Sequence, residues 1–376
     1  MKIIFDARDS QLERVGVSVY CNNIIKILDK LILEDSEIEF ITSRKLKQPD
    51  LINKVLPIGP SSDDSYLKKL KWYYSLPKLL RKLKADVYFG PLTTLPFQSK
   101  FSCKIVMVAH DAASISTSDL VGSYFSRIKN KYFTNGWVRK ADHIICISEY
   151  CRNEFTEIYG AWFKNKSSVV HHGLPNEFSG NLNFDCANIE LIKQKYSGGK
   201  DFLFSLGTIY PKKNYENLIE GFSKLKNSHI NLVICGAFGF ESDRIMNAPK
   251  WHGVEGRVFF YNTLPNDAVI DLMSAAQAFV FPSLYEGFGI PLLEAFACNT
   301  PVVSSDATCL PEIAGDAAHY FDPTSIAQIT EAISFVLSND EYRKRLALQG
   351  KKRLKNFSWD KSAAEHLKIF KMVFDK

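Results

Sequence analysis

Along this chain, short unbroken apolar runs alternate with longer stretches in which apolar residues recur every third or fourth position. The first pattern reads as buried strand and the second as amphipathic helix. Their alternation predicts βαβ units and parallel sheets. KIIFD opens as a strand, and Val17, Tyr20, Ile24, Ile27, Leu28 and Leu31 follow at helical spacing. Further strands are predicted at 38–42, 86–90, 104–110, 143–148 and 167–173, with helices over 119–139 and 148–158. A second series begins near Asp201, with strands at 202–207, 230–236, 257–261, 278–283 and 301–305. Its clearest helix runs from Asn214 to Lys226, with Asn214 as its N-cap. The stretch 174–200 is polar and broken by Pro175, Gly180, Gly198 and Gly199, and reads as the linker and the entry to the second domain. From Ser325 onward the pattern is helical, in three helices.

At 376 residues the chain is about twice the usual domain size. The fold class expected is α/β, with two Rossmann-like domains facing across a cleft: 1–175, then 176–356, with a C-terminal helix over 357–376 that returns to the first domain. In open α/β sheets ligands bind beyond the carboxyl ends of the strands, so residues just after strands are where chemistry is expected.

Composition narrows the class. The eight cysteines are dispersed, form no C-x-x-C pair and often sit in apolar runs, which reads as buried reduced thiols in a cytosolic protein. The start MKIIFDARDS lacks the apolar stretch of a signal peptide, and no run is long enough to span a bilayer. The net charge of +6 does not call for nucleic acid, and no nucleic-acid motif is visible. The charge fits a phosphorylated substrate or an anionic membrane surface. The basic, aromatic stretch LKKLKWYYSLPKLLRKLKAD reads equally as a peripheral membrane contact, over 67–84 at the inner face of the plasma membrane, or as a solvated helical face.

The densest signal is FPSLYEGFGIPLLEAFACNTPVV. A strand ends at Ser283, a loop carries Glu286, Gly287, Phe288 and Gly289, and Pro291 suits the first helical position. Glycines allow close backbone approach, and free N–H groups at a helix start form an anion site. Glu294 is expected in the first helical turn, where the dipole favours a carboxylate able to accept from a vicinal diol. A helix start with two acidic capping residues is the plainer alternative. The string resembles the E-x7-E motif of the retaining glycosyltransferases of family 4, and the resemblance covers nearly the whole chain. It implies that Glu286 contacts the transferred sugar and Glu294 the ribose hydroxyls. Backbone amides from Phe288 to Ile290 then bind sugar and phosphate. Where the family usually has Gly, this chain has Asn299, which tolerates the left-handed conformation that closes a helix.

SLGTIYPKKNYENLIEGF sets Lys212 and Lys213 beyond a strand end. Two ammonium groups there can neutralise a diphosphate leaving group. The string resembles the family's basic element, with Thr208 where many members have Arg. The resemblance makes Lys213 the main phosphate ligand, while Lys212 either assists it or is exposed. In RVGVSVY, Gly16 opens a helix where the family brings backbone N–H groups to the diphosphate. The "DAR…GVSVY" start is similar to members that often use GDP-mannose in bacterial polysaccharide and O-antigen synthesis. His110, ending KIVMVAH, is either a hydrogen-bonded structural histidine or, as in similar enzymes, a contact to the transferred sugar, with Asp111 orienting its ring. Ser148 and Glu149 read first as helix-capping and second as cleft-lining, the role of His172 is open, and Trp359 precedes the last helix.

With no D-x-D and no metal-ligand spacing, no cofactor or metal is expected. The partners expected are a nucleotide diphosphate-sugar and a saccharide or lipid-linked acceptor. A two-domain nucleotide-sugar epimerase, a phosphorylase-like enzyme and a non-catalytic sugar-nucleotide binder are the alternatives. A dehydrogenase is disfavoured because no G-x-G-x-x-G follows the first strand.

Overall fold

The computed structural model describes residues 1–8, 16–30, 36–43, 51–60, 64–91, 100–113, 134–180, 186–226 and 229–376. The described chain forms two compact units, Met1–Gly173 with Ser358–Lys376, and Leu174–Phe357.

In the first unit, Lys2–Asp6 (β1), Glu37–Ile41 (β2), Lys54–Leu56 (β3), Val87–Gly90 (β4), Lys104–Ala109 (β5), His143–Cys146 (β6) and Ser167–Val169 (β7) form one sheet. The order is β3-β2-β1-β4-β5-β6-β7, and every pairing is parallel. Strands covered by helices on both faces must be apolar throughout, which is why KIIFD and KIVMVA read as unbroken runs. One core layer joins Ile4, Leu76, Leu80, Met107, Trp137, Ile144 and Phe155. The last helix, Trp359–Phe374, belongs to this unit and packs on the helix Gly16–Leu28.

The second unit pairs Asp201–Leu206 (β8), Ile230–Cys235 (β9), Val258–Tyr261 (β10), Ala278–Phe281 (β11), Val302–Ser305 (β12) and Ala318–Phe321 (β13) in the order β10-β9-β8-β11-β12-β13, again all parallel. Its core centres on Leu218, Phe222, Leu232, Val280, Ile329 and Ile333. Burying each such side chain contributes about 1.5–3 kcal/mol.

Two expectations change. The stretch 174–200 is not all linker, because Cys186–Ser197 is a helix. Strands β3 and β13 are additional. Of the helix expected over 119–139, residues 119–133 lie outside the described residues, and 134–139 are helical. The three tail helices are Ile326–Leu337, Asp340–Leu354 and Trp359–Phe374. Among the described residues no helix is long and apolar enough to cross a membrane.

Candidate active site

In the second unit the chain steps outward from β8 through β9 to β10, returns to β11 and continues outward on the other side. Strands β8 and β11 therefore flank the point where the winding reverses, and a crevice opens there beyond their carboxyl ends. The lysine pair follows β8 and the glutamate loop follows β11.

After β8 a 3-10 turn, Pro211–Lys213, ends at Asn214 in the left-handed region (φ 59°), and the helix Tyr215–Ser223 begins. Asn214 makes no side-chain N-cap bond, contrary to the sequence expectation. Its amide instead donates to the carbonyls of Pro282 (3.1 Å) and Pro323 (2.7 Å). The Leu284 amide donates to the Lys212 carbonyl (2.9 Å), so backbone and side chain together tie the lysine turn to the loop after β11.

That clamp brings the charges together. Lys213 Nζ donates to Glu286 Oε1 at 2.5 Å, each side chain only 12% exposed. The ammonium also lies 5.2 Å from the Phe281 ring centre. A Cβ on Gly207 would stand 3.1 Å from Lys213 Cε, so the glycine ending the strand makes room for the lysine stem. The Glu286 amide donates to Thr308 Oγ1 (3.2 Å), and the Cys309 thiol donates to the Glu286 carbonyl (3.3 Å). Burial alone would push the Glu286 carboxyl up, but the Lys213 and Lys212 ammoniums outweigh it and hold it below its ordinary value. Lys212 thus acts on the same carboxylate, while its own Nζ lies 5.8 Å from the Tyr210 ring centre.

Gly289 takes φ 93° as N-cap of the helix Ile290–Ala297, a conformation that other residues adopt at a cost. Ile290 is therefore the first helical residue and Pro291 the second, which moves Glu294 to the fifth. Glu294 stands in the second turn rather than the first, beyond the reach of most of the dipole effect expected for it. Gly287 lies in the bend after Glu286. The Phe288 ring is buried at 3% exposure and meets Phe357 edge-on. Asn299 closes the helix at φ 54°, the left-handed conformation expected of it.

In the first unit the winding reverses between β1 and β4. Gly16 is the first residue of its helix, and a Cβ there would meet nothing within 4 Å. His110 follows β5, and its Nε2 lies 2.9 Å from the Pro91 carbonyl. A carbonyl only accepts, so Nε2 carries the proton and Nδ1 is left as an acceptor. Pro91 thus orients the ring, whereas Asp111 accepts from the Ala113 amide (3.2 Å). Burial lowers the His110 pKa despite the opposing pull of Pro91 and Asp111. Ser148 caps its helix by accepting from the Cys151 amide (3.1 Å).

One cluster escaped the sequence reading. Tyr20, wholly buried, touches His110, His172, Trp359 and His366 at ring-centre distances of 5.2, 5.2, 5.9 and 5.9 Å. Tyr20 and His366 are 346 positions apart, and no local pattern signals their contact.

Comparison with known proteins assigns the fold a family. Residues 16–178 match the family model described as "Glycosyltransferase Family 4", and residues 188–353 the model "Glycosyl transferases group 1". The chain is 26% identical to O-antigen chain mannosyltransferase B of Escherichia coli over 78% of its own length and 76% of that protein. It is 30% identical to the serotype-specific mannosyltransferase WbdA of Escherichia coli over 61% of its length, spanning 28% of that longer protein. Among solved structures it resembles Anabaena Alr3699/HepE, determined in complex with UDP and glucose, with a TM-score of 0.75, 16% identity and coverage of 98% and 99% of the two chains. The two family models divide the chain between them, and the chain belongs to the family 4 glycosyltransferases, enzymes built of two parallel-sheet α/β domains of the GT-B kind.

Proposed function

We propose that this glycosyltransferase is a retaining, metal-independent hexosyltransferase that moves mannose from GDP-mannose to a saccharide or lipid-linked saccharide in cell-surface polysaccharide synthesis. The observation that carries the reading is the Lys213–Glu286 contact at the reversal point between β8 and β11. It sets a cation for a diphosphate beside a carboxylate for a sugar. The mannosyltransferase relatives favour mannose. The nucleotide and sugar in the Anabaena complex favour a nucleotide diphosphate-sugar donor as a class.

In this reading Glu286 contacts the transferred sugar and Glu294 the ribose diol. Lys213, with Lys212, holds the diphosphate, and the backbone of Gly287, Phe288, Gly289 and Ile290 lines sugar and phosphate. Gly16 offers backbone N–H groups to the diphosphate, and His110 contacts the transferred sugar. The acceptor oxygen bonds to the anomeric carbon on the face the nucleotide leaves. The bond from that carbon to the phosphate oxygen breaks, and the acceptor proton passes to the departing diphosphate. The protein supplies orientation and charge stabilisation.

Proton NMR of the product made from GDP-mannose, with and without EDTA, tests both finer points. An α-linked product formed equally in EDTA supports the proposal, and a β-linked product or loss of activity in EDTA contradicts it.

Acceptor delivery at a membrane is proposed for the helix Tyr66–Lys82. Its Trp72 turns inward against the core, while Leu67 (76% exposed), Lys71, Tyr74 (60%) and Lys78 form an outward stripe. Basic and apolar groups on one face suit an anionic lipid surface. Flotation with phosphatidylglycerol vesicles, lost in Lys71→Glu/Lys78→Glu, is the result expected.

A further inference from the structure

We infer that Tyr20 is a positioning residue for His110, and that the C-terminal helix sets Tyr20 through His366. This rests on the proposed contact of His110 with the transferred sugar. His110 has one fixed hydrogen bond, from Nε2–H to the Pro91 carbonyl, which leaves the ring free to swing about that axis unless something packs on it. Tyr20 does so, meeting the imidazole edge-to-face at 82° and 5.2 Å.

The orientation of Tyr20 is fixed in turn. His366 Nδ1 lies 2.7 Å from the Ser362 carbonyl one helical turn earlier, so Nδ1 carries the proton and Nε2 accepts. The Tyr20 hydroxyl therefore donates to His366 Nε2, at 2.5 Å. Burial lowers the His366 pKa to about 4, so this acceptor is neutral near pH 7. Trp359, on the same tail helix, closes the cluster by stacking on His172 at 5.3 Å, and His172 lies 5.2 Å from Tyr20. A structural core needs only apolar rings at these positions. A tyrosine–histidine hydrogen bond buried among them fixes one rotamer and register, which a set of apolar rings leaves adjustable.

The test is a kinetic double-mutant cycle with a spectroscopic readout on His110. Tyr20→Phe keeps the ring and removes the donor, and His366→Phe removes the acceptor from the other side. Each is expected to lower kcat about 10-fold with the donor KM little changed. In a His110→Ala background Tyr20→Phe is expected to lower kcat no further. Losses that multiply in the His110→Ala background, or no loss of kcat in Tyr20→Phe, would overturn the inference. Long-range 1H–15N spectra of the imidazoles decide the point without turnover. The His110 signals are expected to shift or broaden in Tyr20→Phe, and unchanged signals would overturn the positioning role. A wild-type chain that transfers no sugar refutes the proposed function while these spectra still judge the positioning.

Discussion

Lys213 and Glu286 compensate each other inside a site that water barely reaches, and removing Lys213 leaves only the Lys212 ammonium to oppose the burial of the carboxylate. With Lys213 in place the Glu286 carboxyl titrates below its ordinary value, so the carboxylate persists as pH falls through the usual carboxylate range. In Lys213→Met, burial acts with less opposition and the carboxyl pKa rises. The acid limb of kcat/KM is then expected at higher pH than in the wild type, with kcat down about 100- to 1000-fold. A pH–rate profile checks both, and an unmoved acid limb would mean that Glu286 is not the group titrating. At this scale the glutamate string and the lysine pair were legible because each is a dense local motif. Two details were not. Glu294 falls outside the first turn because Gly289, in its left-handed cap, starts the helix at Ile290, one residue before the Pro291 start that the sequence suggests. Asn214 does stand at the N-cap, but its side chain makes no capping bond and reaches carbonyls more than 60 positions away instead.

At the scale of elements, the loop clamp and the chain crossings should be the brittle points. Asn214→Ala removes two hydrogen bonds to buried carbonyls and leaves alanine in the left-handed region, at an expected cost of about 2–4 kcal/mol by urea unfolding. Gly173 and Ser358 are where the chain leaves and re-enters the first unit. A Cβ on Gly173 would stand 2.2 Å from the Trp359 amide nitrogen. Gly173→Ala is expected to destabilise the first unit by about 1–3 kcal/mol, read by thermal unfolding. A neutral result would mean that the two segments part easily. Most strands were legible because helices on both faces demand unbroken apolar runs. The short strand β3 escaped because its residues are exposed or only partly buried, and the helix Cys186–Ser197 because Leu191 faces out at 66% exposure while Ile192 and Tyr196 face in.

For the whole molecule, acid should strike one unit first. His110, His172 and His366 all lie in the first unit, and burial lowers each pKa, that of His366 from 6.5 to about 4. A folded-state pKa below the unfolded value means that the unfolded chain takes the proton first. Stability is therefore full above about pH 6.5 and falls as the pH drops toward 4, by about 3 kcal/mol from His366 alone. Hydrogen exchange at pH 7 and pH 5 should show protection lost in Met1–Gly173 and Ser358–Lys376 before Leu174–Phe357. Equal loss in both would contradict this. The two-unit plan was legible from length and from the restart near Asp201. The Tyr20 cluster was not, because only the folded chain brings residue 20 to residue 366. The central claim is a donor site built from the turn after β8 and the loop after β11. Thermal shift against GDP-mannose, UDP-glucose and UDP-N-acetylglucosamine, with Glu294→Ala and Lys213→Met beside the wild type, tests it most directly. The account predicts a shift with GDP-mannose above the others that both variants lose. A shift that survives in both variants, or none with any donor, would contradict it.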